Sequence, residues 1–151
     1  MKTIGELCER DVVTCTADTT VAAVAKLMRR HHVGSVVIVD RHDRGLSVPR
    51  AIVTDRDIVV AVTALELDAS VMAAGDIVPQ GVVTARANID VLEAMQIMRS
   101  KGVRRLPVVT EDNHLVGLVA FDDLLELMTE QLYQLTKVVG REQAREAATR
   151  K

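Results

Sequence analysis

Aromatic side chains are nearly missing from this chain. Phe121 and Tyr133 are the only two, and there is no tryptophan. Proteins that hold single-stranded nucleic acid stack bases on aromatic platforms, so that class is disfavoured. Net charge is scarce too. A formal charge of -2 leaves no broad basic footprint for a phosphate backbone, and the expectation is no nucleic-acid partner. Cysteine is limited to Cys8 and Cys15, which are not spaced as C-x-x-C. The sequence therefore predicts no disulfide framework, and both thiols read as small buried hydrophobes. No apolar run is long enough to span a bilayer, and the first ten residues carry Glu6, Glu9 and Arg10 where a signal segment would be apolar. These absences predict a cytoplasmic protein without a membrane partner. What is present is ordinary for a globular chain of 151 residues: 48% hydrophobic and 26% charged. The core has to be built from Val, Leu, Ile, Ala and Met.

The chain repeats itself. Gly5-Glu6-Leu7 falls on Gly75-Asp76-Ile77, 70 residues later. At the same offset Val12-Val13-Thr14 meets Val82-Val83-Thr84, Ala17-Asp18 meets Ala87-Asn88, and Met28-Arg29 meets Met98-Arg99. After Asp40 the offset drops to 66. Ala51-Ile52-Val53 then meets Gly117-Leu118-Val119, and Asp57-Ile58 meets Asp123-Leu124. The first copy thus has the longer turn, at 41–47. Chance does not place matches in one order across five successive elements.

Both copies carry the same local signals. Val12-Val13-Thr14 is a short β-branched strand. Val21, Val24, Ala25 and Met28 form the stripe of an amphipathic helix over 21–31, and Val91, Ala94, Met95 and Met98 repeat it. Thr20 and Asp90 are the expected N-caps, with Glu93 completing a box-like cap. Two apolar runs follow in each copy, joined by a turn. A helix closes each copy, over 55–64 and from Phe121 onward. The order is strand, helix, strand, strand, helix. One such unit is too small to bury its own core, so two are expected to pack sheet against sheet with pseudo-two-fold symmetry. The fold class is α/β (α+β), divided as 3–66, 67–128 and a C-terminal helix with charged tail at 129–151.

This order resembles the CBS domain family, in its two-repeat form, the Bateman module. The resemblance is carried by Asp18-Thr19-Thr20-Val21, by Val53-Thr54-Asp55-Arg56-Asp57-Ile58, by Arg104-Arg105-Leu106-Pro107-Val108-Val109 and by Leu115-Val116-Gly117-Leu118-Val119. It covers residues 3–128. It implies a regulatory module, not an enzyme, that binds an adenosyl ligand between the repeats: AMP, ADP or ATP, or S-adenosylmethionine or NAD. It implies no obligatory cofactor, a homodimer, and a protein partner under its control. The alternative is a dimerisation or protein-interaction scaffold without ligand.

The family signature is a Thr or Ser closing the last strand with an Asp three residues on. Thr54 and Asp57 match it. The hydroxyl can cap the helix or meet a phosphate, and the carboxylate can take both cis-hydroxyls of a ribose. The same pair is also a plain capping arrangement, and the two roles are compatible. In the second copy Asp123 is kept but Ala120 replaces the hydroxyl, which predicts a weaker second cleft. Ala51 stands where the family usually has Gly. Arg104 and Arg105 are candidates for phosphate, or a solvated pair at a strand entry. Thr84, ending the first strand of copy two, completes the candidate set.

Nothing in the sequence pairs a nucleophile with a base. None of His31, His32, His42 and His114 stands four residues from another, so no metal site is expected. Beyond the repeats, Leu125, Met128, Leu132, Leu135 and Val139 step by three and four, a short heptad seam. It suits either a second copy or this chain's own second repeat. Gly140 is an expected helix end.

Overall fold

The computed structural model describes residues 2–79 and 81–150. Each repeat forms a three-stranded sheet and a central helix. In the first, α1 (Ile4–Leu7) precedes β1 (Thr14–Cys15), α2 (Val21–His31), β2 (Ser35–Arg41), β3 (Ser47–Thr54) and α3 (Asp55–Ile58), which continues through a wider π-type turn at Val59–Thr63. In the second, a 3-10 turn at Ala74–Asp76 precedes β4 (Ala85–Arg86), α4 (Val91–Lys101), β5 (Arg105–Val109), β6 (Leu115–Ala120) and α5 (Phe121–Thr149). The sheet orders are β1-β2-β3 and β4-β5-β6. β1 runs parallel to β2 with Thr14 opposite Val37, and β4 parallel to β5 with Ala85 opposite Val108.

The local chemistry explains these elements. Thr20 Oγ1 accepts from Ala23 N at 3.2 Å and Asp90 Oδ1 from Glu93 N at 2.8 Å, each satisfying a free donor at its helix start. The second cap is this one-way bond rather than a full box. Both helices end on a left-handed residue, His32 (φ 53°) and Gly102 (φ 65°). The buried stripe of α2 is Val21, Val24 and Met28, and that of α4 is Val91, Ala94 and Met98. The hairpin of β2 and β3 pairs as far as Arg41 opposite Ser47, so the turn is tighter than its sequence implies. Arg44 (φ 62°) and Gly45 (φ 74°) close it. The first strands start later than expected, β1 by two residues at Thr14 and β4 by three at Ala85.

The two repeats exchange their leading segments. Gly5 N donates to Ala87 O at 2.9 Å, and 70 residues on Gly75 N donates to Ala17 O at 2.9 Å. Thr3 bridges Asp90, and its counterpart Ala73 bridges Thr20. The residues that begin each copy therefore lie on the other copy. A Cβ on Gly5 would sit 2.6 Å from Ala87 O, and one on Gly75 3.0 Å from the Ala17 Cβ. That close approach is why the repeat keeps glycine here. Ala74 and Val78 complete the core of the first repeat with Cys15, Val24, Val36, Ile38 and Val53.

Residues 1–119 form one compact unit and 120–151 a second. The second is α5. It runs through Gly140 without a break, because one glycine costs only about 1 kcal/mol against the rest of a 29-residue helix. Leu124 is buried, and from Thr129 to Arg150 every residue is exposed.

Candidate functional site

Thr54 ends β3 in extended geometry and caps α3. Its hydroxyl accepts from Asp57 N at 3.1 Å, while its own N–H and hydroxyl donate to Asp57 Oδ2 at 2.8 and 2.9 Å. The pair forms a complete reciprocal box. Both bonds to the carboxylate end on Oδ2, so Oδ1 takes no part in the cap. Both residues are half-buried. In the second repeat Asp123 Oδ2 accepts from Ala120 N at 2.8 Å. Ala120 has no oxygen to return the bond, so only half of the box exists.

The outer edges of the two sheets also differ. Asp55 N donates to Gly34 O at 3.0 Å, and Val37 N turns away from β3 to Val13 O at 3.0 Å. Antiparallel alternation then points the N–H and C=O of Ile52 outward. At the equivalent position of β6, Leu118 exchanges two 2.9 Å bonds with Glu9. Gly117 permits that approach: a Cβ there would lie 2.4 Å from Cys8 Sγ and 2.7 Å from Glu9 O. In the first repeat Ala51 replaces that glycine and Pro79 replaces Glu9. Proline has no N–H to give, and among the described residues no bridge joins 79 to Ile52.

Near that edge a cavity of about 370 Å³ opens between the repeats. Val48 and Arg50 line it from β3, and Val82, Thr84, Val109 and Asn113 line it from the second repeat. Arg50 Nε donates to Asp40 Oδ2, and both side chains are about half exposed. The register of β3 against β2 slips by one residue at Arg50, between the pairs Ile38–Ala51 and Val39–Pro49, so the alternation that sets Ile52 and Thr54 on one face does not continue to Val48. Thr54 stands four residues beyond Arg50, about 13 Å at strand rise.

The candidate residues are thus only partly gathered. Thr54 and Asp57 are bonded to each other at one end of β3, and Thr84 lies in the cavity near the other. Arg104 is exposed and Arg105 half-buried at the entry to β5, and neither lines the cavity. Sequence reasoning did not single out Arg50 or Asn113. Arg50 could have been found as the charged residue in an otherwise apolar strand. It also missed that His42 and His114, one from each hairpin turn, meet edge to face with ring centroids 6.2 Å apart. His114 Nδ1 is buried without a partner. Among the described residues no group of three His, Cys, Asp or Glu side chains could hold a metal ion. Cys8 and Cys15 are buried, and burial pushes both thiols up, which leaves them protonated and unreactive at neutral pH. No described helix is long and apolar enough to cross a membrane.

A CBS domain profile matches the chain twice, at residues 4–64 and 74–130. An uncharacterised protein of Methanopyrus kandleri is 38% identical over 124 residues, which are 82% of this chain and 61% of that protein. Hypoxic response protein 1 of Mycobacterium tuberculosis is 33% identical over 129 residues, 84% of this chain and 87% of that one. Among solved structures, a CBS domain protein from Pyrobaculum aerophilum complexed with AMP superimposes with a TM-score of 0.71 at 30% identity, covering 84% of this chain and 98% of that one.

Proposed function

The chain belongs to the CBS domain family, and on that premise we propose that it is a regulatory module, not an enzyme, that senses an adenosyl compound in the cleft between its repeats. The observation that carries this reading is the inter-repeat cavity, which both repeats line and to which β3, the strand that Thr54 ends, contributes Val48 and Arg50. The relative from Pyrobaculum aerophilum, alike in fold over nearly all its length, binds AMP. In our reading the ribose hydroxyls bond to Asp57 Oδ1, the acceptor that the cap leaves over. Thr84 and Asn113 face the ligand from the second repeat. A phosphate competes with Asp40 for Arg50, and Arg104 and Arg105 serve any further anionic group. Asp123, in half a box, belongs to a weaker second site. The ligand acts as an effector rather than a cofactor, and it signals to a protein partner in the cytoplasm.

A thermal-shift panel of AMP, ADP, ATP, S-adenosylmethionine and NAD tests this. A ligand that binds only the folded chain adds about 2.7 kcal/mol at a hundredfold excess over its Kd, and one member of the panel should raise the Tm accordingly. A flat response to every member at millimolar concentration overturns the reading. It would leave the second one, a dimerisation scaffold, which the exposed leucines of α5 favour. Under both readings we propose a homodimer.

A further inference from the structure

We infer that α5 pairs with the α5 of a second copy of this chain, antiparallel, in a register that sets Leu132 of one copy against Leu135 of the other. This rests on the homodimer reading and adds to it the surface, the orientation and the register.

The surface is the far part of α5. Leu132 is 61% exposed, Leu135 65%, Val138 63% and Val139 55%. Leu132, Leu135 and Val139, with half-buried Met128 and exposed Leu125, follow the three-four spacing of a helix seam, and Val138 stands beside it. A soluble chain rarely leaves such a row in water, and closed two-fold pairing is the commonest way to cover one. Between Met128 and Val139 nothing on the flanks of the seam opposes this. Thr129, Gln131, Thr136 and Val138 border it there, and none is charged.

Charge chooses the orientation. The first half of α5 carries Asp122, Asp123, Glu126 and Glu130 and no cation. The second half carries Lys137, Arg141 and Arg145 against Glu142 and Glu146. A parallel pair would lay four acids beside four acids. An antiparallel pair lays the acidic half beside the half with the cations, and it also opposes the two helix dipoles. Register follows from the seam. With Leu132 across from Leu135, Met128 meets Val139 at both ends. That gives four apolar layers over about 17 Å of helix.

Light scattering on the full chain at micromolar concentration comes first. A monomer there overturns the homodimer reading and this inference with it. For a dimer, Leu132→Asp is expected to raise the dissociation constant at least about a hundredfold, because the change enters both copies at the centre of the seam. A dimer that tolerates both Leu132→Asp and Leu135→Asp overturns the inference and leaves the homodimer reading standing. Orientation is read by mild oxidation and peptide mapping. The double variant Met128→Cys with Val139→Cys is expected to give a disulfide joining position 128 of one copy to position 139 of the other. Val139→Cys alone is expected to give none. A disulfide between the two copies of position 139, or no cross-link in either variant, overturns the antiparallel pairing.

Discussion

The two repeats share a plan and differ at the end of the last strand and along its outer edge. The first has a complete cap, Thr54 with Asp57, and a last strand whose edge at Ile52 has no partner among the described residues. The second has half a cap, Ala120 with Asp123, and a last strand closed by Glu9. Three substitutions between the copies account for this: Thr to Ala at the cap, Ala to Gly in the strand, and Pro to Glu in the leading segment. One repeat has become a scaffold that locks the N-terminal segment in place. The other has kept an open edge beside a cavity.

The largest expected effect is at Gly117. Gly117→Ala should cost about 2 kcal/mol in urea denaturation, because its Cβ meets Sγ of Cys8 and a backbone oxygen, neither of which can yield freely. Ala51→Gly, the mirror change, should cost no more than about 1 kcal/mol. Equal costs would erase the difference between the two strand edges.

Ligand binding should divide the copies next. Asp57→Asn keeps a side-chain oxygen for the Thr54 N–H and removes the carboxylate. It should weaken the adenosyl ligand about 10- to 100-fold, as loss of a charged hydrogen bond does, while Asp123→Asn should change it less than about threefold. Calorimetry should give one dominant site per chain. Two equal sites would mean that the half cap at Ala120 is no handicap.

Smaller effects should follow at the caps themselves. Thr54→Ala converts the first cap into the second and should lower stability by about 1 kcal/mol. Ala120→Thr should return up to about the same amount. The finest test is amide exchange. Leu118 N–H is bonded to Glu9 and should exchange far more slowly than Ile52 N–H. Equal protection would show that the first edge is closed as well.

Much of this fold was legible in advance, for reasons that can be named. The helices at 21–31 and 91–101 were marked by their apolar stripes, and a side chain that caps a helix acts on amides two or three residues away. Such short-range signals survive in one sequence. The sequence places the short strands β1 and β4 two and three residues early, since two-residue strands are defined by pairing with β2 and β5 and not by their own composition. Gly140 was expected to end a helix that in fact continues. One glycine costs about 1 kcal/mol, which the rest of a 29-residue helix outweighs. The exchange of leading segments was hidden, although the aligned pair Gly5 and Gly75 was its trace. A glycine shows that something comes close without showing what.

The sequence by itself determined that there are two copies of one unit, the order of elements in each, and the loss of a hydroxyl at Ala120. Periodicity and side-chain type are local, and they need no partner to be read. Only the tertiary structure decided that each copy begins on the other, that Glu9 closes one sheet where Pro79 cannot close its twin, and that Arg50 and Thr84 share a cavity. Those facts depend on groups brought together from distant parts of the chain, Gly5 with Ala87, Gly75 with Ala17 and Glu9 with Leu118, and a peptide N–H looks the same at every position until the chain has folded around it.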